Sequence, residues 1–167
     1  MKIFLLGFMG AGKSYWGRLL ADKMQLPYYD LDEVIVEEEG KTVAEIFAAE
    51  GEDFFRGREK EKLQQLARQE AFIISCGGGT PCFFDNMQFM NDTGVTVWLN
   101  PSITAMIERI ARKKHKRPLV KELDGMELKA FVEKKLAERE PFYRQSRLII
   151  DTANESVDGF AEKLYHA

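Results

Sequence analysis

The chain's 167 residues are about one domain's worth, and 45% hydrophobic with 31% charged residues excludes an intrinsically disordered chain. Lys and Arg (24) against Asp and Glu (27) give a net charge of −3, so no global positive field exists to hold a nucleic acid or an anionic membrane. Cys76, Cys82, His115 and His166 are too few and too scattered for a structural zinc site, both thiols read as reduced, and the N-terminal apolar run stops after four residues, short of a signal peptide or membrane span; a cytoplasmic enzyme fits these constraints, with a monomer as the default.

Short apolar runs alternate with longer helical patterns along the chain, the rhythm of βα units and a parallel sheet covered by helices. The first run, 3–6, reads as a buried strand and leads into Gly7-Phe8-Met9-Gly10-Ala11-Gly12-Lys13-Ser14, a full match to Gly-four-any-Gly-Lys-Ser/Thr. Glycines let such a loop curl so that consecutive N–H groups, from Gly10, Ala11 and Gly12 onward, face phosphate oxygens, reinforced by the N-terminus of the next helix; Lys13 reaches the outer phosphates of ATP and Ser14 ligates Mg2+. A weaker strand at 27–29 runs into Asp30-Leu31-Asp32, whose carboxylates in extended geometry point the same way. One suits Mg2+ support through water and the other the acceptance of a proton, although the same pattern also occurs as a solvated strand end.

Thr42-Val43-Ala44-Glu45 is a capping box opening a helix. A longer helix is predicted over 53–70, with Arg56, Arg58, Lys60 and Lys62 among glutamates; such a face is ordinarily solvated, but Glu59 stands three residues after Arg56 and can fix its guanidinium. A strand at Phe72–Ser75 precedes Cys76-Gly77-Gly78-Gly79, a run that suits a turn needing positive φ as well as a ligand contact. Met87, Phe89 and Met90 read as packing residues of a connecting helix. After a strand at Val95–Leu99, Asn100-Pro101 supplies an N-cap and a first-turn proline for a helix to about residue 114. The basic, irregular segment 113–124 is the candidate for a mobile excursion. A helix over 125–138, with Arg139 and Pro141 placed to end it, then a strand at Leu148–Ile150 and a helix at Val157–Tyr165 complete five strands in a single domain spanning 1–167.

The phosphate loop alone does not separate a small-molecule kinase from a GTPase or a motor ATPase. No Asn-Lys-x-Asp for reading guanine occurs, and no long apolar strand ends in an aspartate as a conventional Walker B. The remaining motifs are Gly17-Arg18, Asp30-x-Asp32, Phe55-Arg56-x-x-Glu59, Cys76-Gly77-Gly78-Gly79, Arg117-Pro118-Leu119 and Arg139-Glu140-Pro141-Phe142-Tyr143. In this order and spacing, with the phosphate loop at the N-terminus, the chain resembles the shikimate kinases over nearly its whole length.

That resemblance implies a P-loop three-layer α/β sandwich with a parallel five-stranded sheet and a mobile lid at approximately 112–124. It also implies ATP- and Mg2+-dependent phosphorylation of the 3-hydroxyl of shikimate, a step toward chorismate and the aromatic amino acids. Carried over residue by residue, Ser14 and Asp30 would serve the metal, Asp32 would hold the shikimate hydroxyls and act as base, and Arg56 and Arg139 would clamp the carboxylate beside Gly77, Gly78 and Gly79. The shikimate-binding segment would be approximately 32–60. Arg117 would close over the phosphates with Lys13, and Arg112 or Arg109 would stack on adenine. Tyr15 departs from the family, which commonly has threonine there, leaving its backbone N–H for the α-phosphate. A gluconate or nucleoside monophosphate kinase and a non-catalytic nucleotide-binding module are the competing readings, and they differ in acceptor and in turnover.

Overall fold

A computed structural model of the chain describes residues 1–113 and 120–167. Five parallel strands, β1 (Lys2–Leu6), β2 (Tyr28–Asp30), β3 (Phe72–Ser75), β4 (Val95–Leu99) and β5 (Leu148–Ile150), form one sheet in the order β2-β3-β1-β4-β5. The inner strands β1 and β3 are almost wholly apolar and buried on both faces, as a sheet sandwiched between helices requires. Around it lie α1 (Lys13–Met24), α2 (Leu31–Glu39), α3 (Val43–Glu50), α4 (Glu52–Leu66), α5 (Asn86–Thr93), α6 (Ile103–Lys113), α7 (Gly125–Tyr143) and α8 (Val157–Tyr165).

Parallel register brings function to one edge. Asp30 at the end of β2 pairs with Ser75 at the end of β3, which pairs in turn with Leu5 of β1. The chain leaving all three strands therefore emerges side by side at their carboxyl ends, where open α/β sheets bind ligands. The core beneath is one cluster in which Phe4 packs edge-on against Phe72 at 5.3 Å and Trp16 of α1 packs on Phe160 of α8 at 5.4 Å.

Three expectations from the sequence change here. Asp30 and Asp32 do not share a strand: Asp30 ends β2 and caps α2, its carboxylate accepting from Glu33 N, so Asp32 already sits in the first turn of a helix. The sixth helix is capped by Ser102, whose hydroxyl accepts from Ala105 N at 3.1 Å, and begins at Ile103, not at Asn100-Pro101. Pro141 does not end α7, which runs through it to Tyr143; the missing proline N–H leaves the bond to the carbonyl one turn back unmade without stopping the helix. The capping box at Thr42 is present, with Thr42 Oγ1 accepting from Glu45 N at 3.1 Å.

Candidate active site

Above the carboxyl ends of the strands lies a cavity of 1320 Å³, and the described residues expected at the site line it except Ala11, which is buried beneath the loop. At one end the phosphate loop turns from β1 into α1. Gly12, at the N-cap of α1, has φ 93°, a left-handed conformation that glycine adopts without a Cβ penalty. Ala11 N donates to Phe8 O at 3.1 Å within the turn, and Arg109 of α6 donates to Gly10 O at 2.9 Å, so a side chain from the far side braces the loop. Lys13 Nζ donates to Gly7 O and Phe8 O at 2.5 and 3.0 Å, across the mouth of the curl. Ser14 Oγ donates to Asp30 Oδ2 at 3.1 Å, which joins the loop to the end of β2.

Tyr15, Trp16, Arg109, Arg112, Thr152, Glu155, Ser156 and Val157 line this end. Tyr15 is 65% exposed and meets Trp16 edge-on, while Arg112 is exposed at the rim. Of the two arginines weighed for the base, Arg109 is the one fixed to the phosphate loop. Arg117 and the rest of 114–119 lie outside the described residues.

The opposite end is a cluster of charge enclosed in protein. Arg56 of α4 is 8% exposed and Glu59 is fully buried; Arg56 Nη1 donates to Glu59 Oε1 at 3.0 Å and Nε to Glu52 Oε1 at 3.3 Å. Glu59 Oε2 accepts from Thr80 Oγ1 at 2.7 Å. The spacing between Arg56 and Glu59 thus foretold a real pair, but the reading of this helix face as solvated fails: Lys62 is buried too and pairs with Glu38. Arg58 bridges Glu38, Glu39 and Glu61, fastening α2, whose first turn carries Asp32, to α4.

The three glycines after β3 do not need positive φ; none of them has it. They need room. A Cβ on Gly79 would stand 2.7 Å from Arg56 Nη2, and one on Gly78 2.9 Å from Arg139 Nη1, so each guanidinium lies directly against glycine backbone. At Gly77 the neighbours are Asp32 Oδ1 and Glu59 Oε2, each at 3.1 Å. Arg139 approaches from α7 with its guanidinium 5.4 Å from the ring centre of Phe8.

Tyr143, one turn after Arg139, donates to Gly78 O at 2.5 Å and is fully buried against Trp98. Sequence reasoning quoted Tyr143 as part of a motif but gave it no work; burial, which pushes its phenol above the ordinary range and keeps it a donor, is visible only in the fold. Cys76 is buried, its Sγ 3.7 Å from Met90 Sδ, and Cys82 is half-buried; both are free thiols.

Electrostatics single out Asp32. Burial raises its carboxyl, the charges of Glu59 and Asp30 add to that, and Lys13 and Arg56 oppose it; the outcome is about 6. Burial likewise lifts Glu59 above the ordinary carboxylate value, against the pull of Arg56. Asp32 is thus a carboxylate of raised basicity facing the same cavity as Lys13 and Ser14. A loop built for a polyphosphate, a basic carboxylate and two arginines set against bare backbone amount to a site for moving a phosphoryl group onto a small anionic acceptor.

Residues 9–167 match the family model described as shikimate kinase. The chain belongs to the shikimate kinase family. A shikimate kinase of Parabacteroides distasonis is 44% identical over 150 residues, covering 90% of this chain and 87% of that protein. Among solved structures, the shikimate kinase of Bacteroides thetaiotaomicron superposes with a TM-score of 0.92 at 39% identity, covering 99% of this chain and 97% of the other. That of Acinetobacter baumannii, in complex with shikimate, superposes with a TM-score of 0.86 at 32% identity, covering 99% and 90%. The parallel five-stranded sheet flanked by helices expected from the sequence is therefore both present and that of the shikimate kinase family.

Proposed function

We propose that this chain transfers the γ-phosphoryl group of ATP to the 3-hydroxyl of shikimate, giving shikimate 3-phosphate and ADP, a step of chorismate and aromatic amino acid synthesis. The observation that carries the reading is the acid end of the cavity. Arg56 and Arg139 lie against Gly79 and Gly78, where a planar carboxylate can meet two guanidinium forks, with Asp32 between them and the phosphate loop. A nucleobase acceptor has no carboxylate for two arginines to hold.

In this reading Arg56 and Arg139 fix the acid, and backbone around Gly77, Gly78 and Gly79 shapes the ring pocket. Asp32 accepts a hydrogen bond from the attacking hydroxyl and takes its proton as the oxygen–phosphorus bond forms and the bond to the ADP oxygen breaks. Gly10, Ala11, Gly12, Lys13, Ser14 and Tyr15 hold the phosphates, with Tyr15 contributing its backbone N–H. Lys13 exchanges loop carbonyls for phosphate oxygens, and Arg109 and Arg112 flank the base. Arg117 is assigned to the γ-phosphoryl on the family's pattern and lies outside the described residues.

The donor set suits Mg2+. Ser14 Oγ and Asp30 Oδ2 are hard oxygen donors already 3.1 Å apart beside the phosphate loop, and Mg2+ favours few protein ligands completed by water and phosphate. When bound there the ion would neutralise charge on the phosphates. The reading further takes the chain to be a cytoplasmic monomer without nucleic-acid or membrane partners. Its net charge of −3 speaks against nucleic-acid and anionic-membrane partners, and no helix among the described residues is long and apolar enough to cross a membrane.

The test is ADP release with Mg2+-ATP across shikimate, quinate, gluconate, AMP and water alone. Shikimate-dependent release is expected. Release that follows another acceptor moves the specificity, and nucleotide binding without turnover for any acceptor overturns the reading; sedimentation of the same sample checks the monomer.

A further inference from the structure

The guanidinium of Arg56 has a second packing partner. Besides the Gly79 backbone, the ring of Phe83 meets it, with the guanidinium carbon 4.2 Å from the ring centre. Phe55, the neighbour in α4, is farther at 5.3 Å. A guanidinium packed against both backbone and an aromatic ring is restrained in plane, and the plane of the fork decides whether both nitrogens reach a carboxylate.

The chain around Phe83 is arranged to put the ring there. Thr80, Pro81 and Cys82 make one tight turn, Phe83 is extended at φ −118°, and Phe84 takes φ 51°, which a bulky side chain adopts only when its surroundings force it. One residue closes the turn: Asn86 N donates to Phe83 O at 3.2 Å, and the buried Asn86 side chain donates to Thr80 O at 3.0 Å. Thr80 Oγ1 donates to Glu59, the carboxylate that also holds Arg56. Outside, the Lys60 ammonium lies 4.9 Å from the ring centre of Phe84. The loop after β3 therefore meets Arg56 directly through Gly79 and Phe83, and indirectly through Thr80, which bonds the Glu59 that pairs with Arg56.

We propose that Phe83 is a positioning residue for substrate acid recognition: its ring holds the Arg56 fork in the plane that receives the carboxylate. The inference rests on the reading of Arg56 as a ligand of that acid, and it makes Phe83 a determinant of acceptor affinity rather than of nucleotide binding or chemistry.

Steady-state kinetics of Phe83→Leu and Phe83→Tyr test it, with Phe83→Met in place of Leu if the latter fails to fold by circular dichroism. The ring-less variant is expected to raise the shikimate KM about tenfold, the scale of a desolvated cation–π contact, with kcat and the ATP KM within twofold. Phe83→Tyr keeps the ring face and should stay near the unsubstituted protein. In an Arg56→Lys background the loss on removing the ring should shrink, since lysine has no fork to orient. An unchanged shikimate KM in the ring-less variant, equal loss in Phe83→Tyr, or full loss in the Arg56→Lys background overturns the positioning role while leaving the kinase reading intact. Absence of shikimate-dependent ADP release from the unsubstituted protein overturns both.

Discussion

The two ends of the cavity are made of different material. Around 7–14 the groups proposed to hold phosphate are backbone N–H groups and the Lys13 and Ser14 side chains of one short contiguous loop, and the side chains that brace it, Arg109 and Asp30, come from two other elements. At the acid end the groups are side chains from three helices, Asp32, Arg56 and Arg139, held against a glycine backbone that contributes shape. A phosphate chain is long and repeats its oxygens, so a row of like donors from contiguous backbone suffices. A small acid with hydroxyls at fixed positions needs separate groups at separate angles, and those have to be assembled from distant parts of the chain.

That division predicts where damage is confined. Asp32→Asn is expected to lower kcat by about a thousandfold, within the range of general-base loss, while nucleotide affinity measured by calorimetry stays within twofold. Because the folded-state carboxyl of Asp32 is raised to about 6, its ionisation opposes folding. The stability it supports is present below its unfolded value and lost as pH rises through about 6, so the asparagine variant should melt higher than the unsubstituted protein at pH 7 and lose that advantage in acid. The same group makes kcat/KM for shikimate rise with pH up to about 6 and level above it. A flat profile between pH 5 and 7, about one unit either side, removes Asp32 from the role of base.

Arg139→Ala and Arg56→Ala should each raise the shikimate KM by about a hundredfold, the worth of a charge-assisted fork, with the ATP KM unmoved. The two should part in stability. Removing Arg56 leaves the fully buried Glu59 without its ion-pair partner, with only the Thr80 hydroxyl still bonded to it, so that variant should melt well below Arg139→Ala at neutral pH and recover part of the difference as acid protonates Glu59. Gly79→Ala, whose Cβ would stand 2.7 Å from Arg56 Nη2, should raise the shikimate KM by about tenfold and leave the ATP KM alone. An equal rise in both KM values would show that the two ends are not independent. Smallest of all, Gln25 closes α1 at φ 55°, far from either end; Gln25→Gly should stabilise by about 0.5 kcal/mol in urea titration with no kinetic effect.

The unequal legibility of the two ends has the same origin. The phosphate loop is contiguous, so its residues and their expected work are written in eight consecutive positions, and four of the five strands around it announce themselves as short apolar runs. The carboxylate pair was found but misplaced, because β2 is only three residues long and the helix starting at Leu31 takes its N-cap from the last of them. The glycines 77–79 were singled out by the resemblance, with a positive-φ turn as the alternative; the structure removes that alternative, and the guanidinium whose Nη2 would lie 2.7 Å from a Cβ on Gly79 belongs to another element that the local sequence does not reveal. Tyr143, Thr80 and Phe83 had no local signal, since each matters through a partner dozens of residues away or on another element. Arg58 and Lys62 looked like surface charge because a sequence does not reveal that α2 lies beside them with Glu38 and Glu39.

Of the protein's two tryptophans, one lines the cavity and the other is joined to it through Tyr143. Trp16 lines the nucleotide end between Tyr15 and Phe160, and Trp98 is buried against Tyr143, whose hydroxyl reaches the glycine backbone of the acid end. Trp16→Phe and Trp98→Phe therefore split the intrinsic fluorescence into two optical channels. In the first variant the remaining emission should answer to shikimate, and in the second to nucleotide. The order in which ligands arrive and the distance over which one is felt by the other then become readable in real time, without a label.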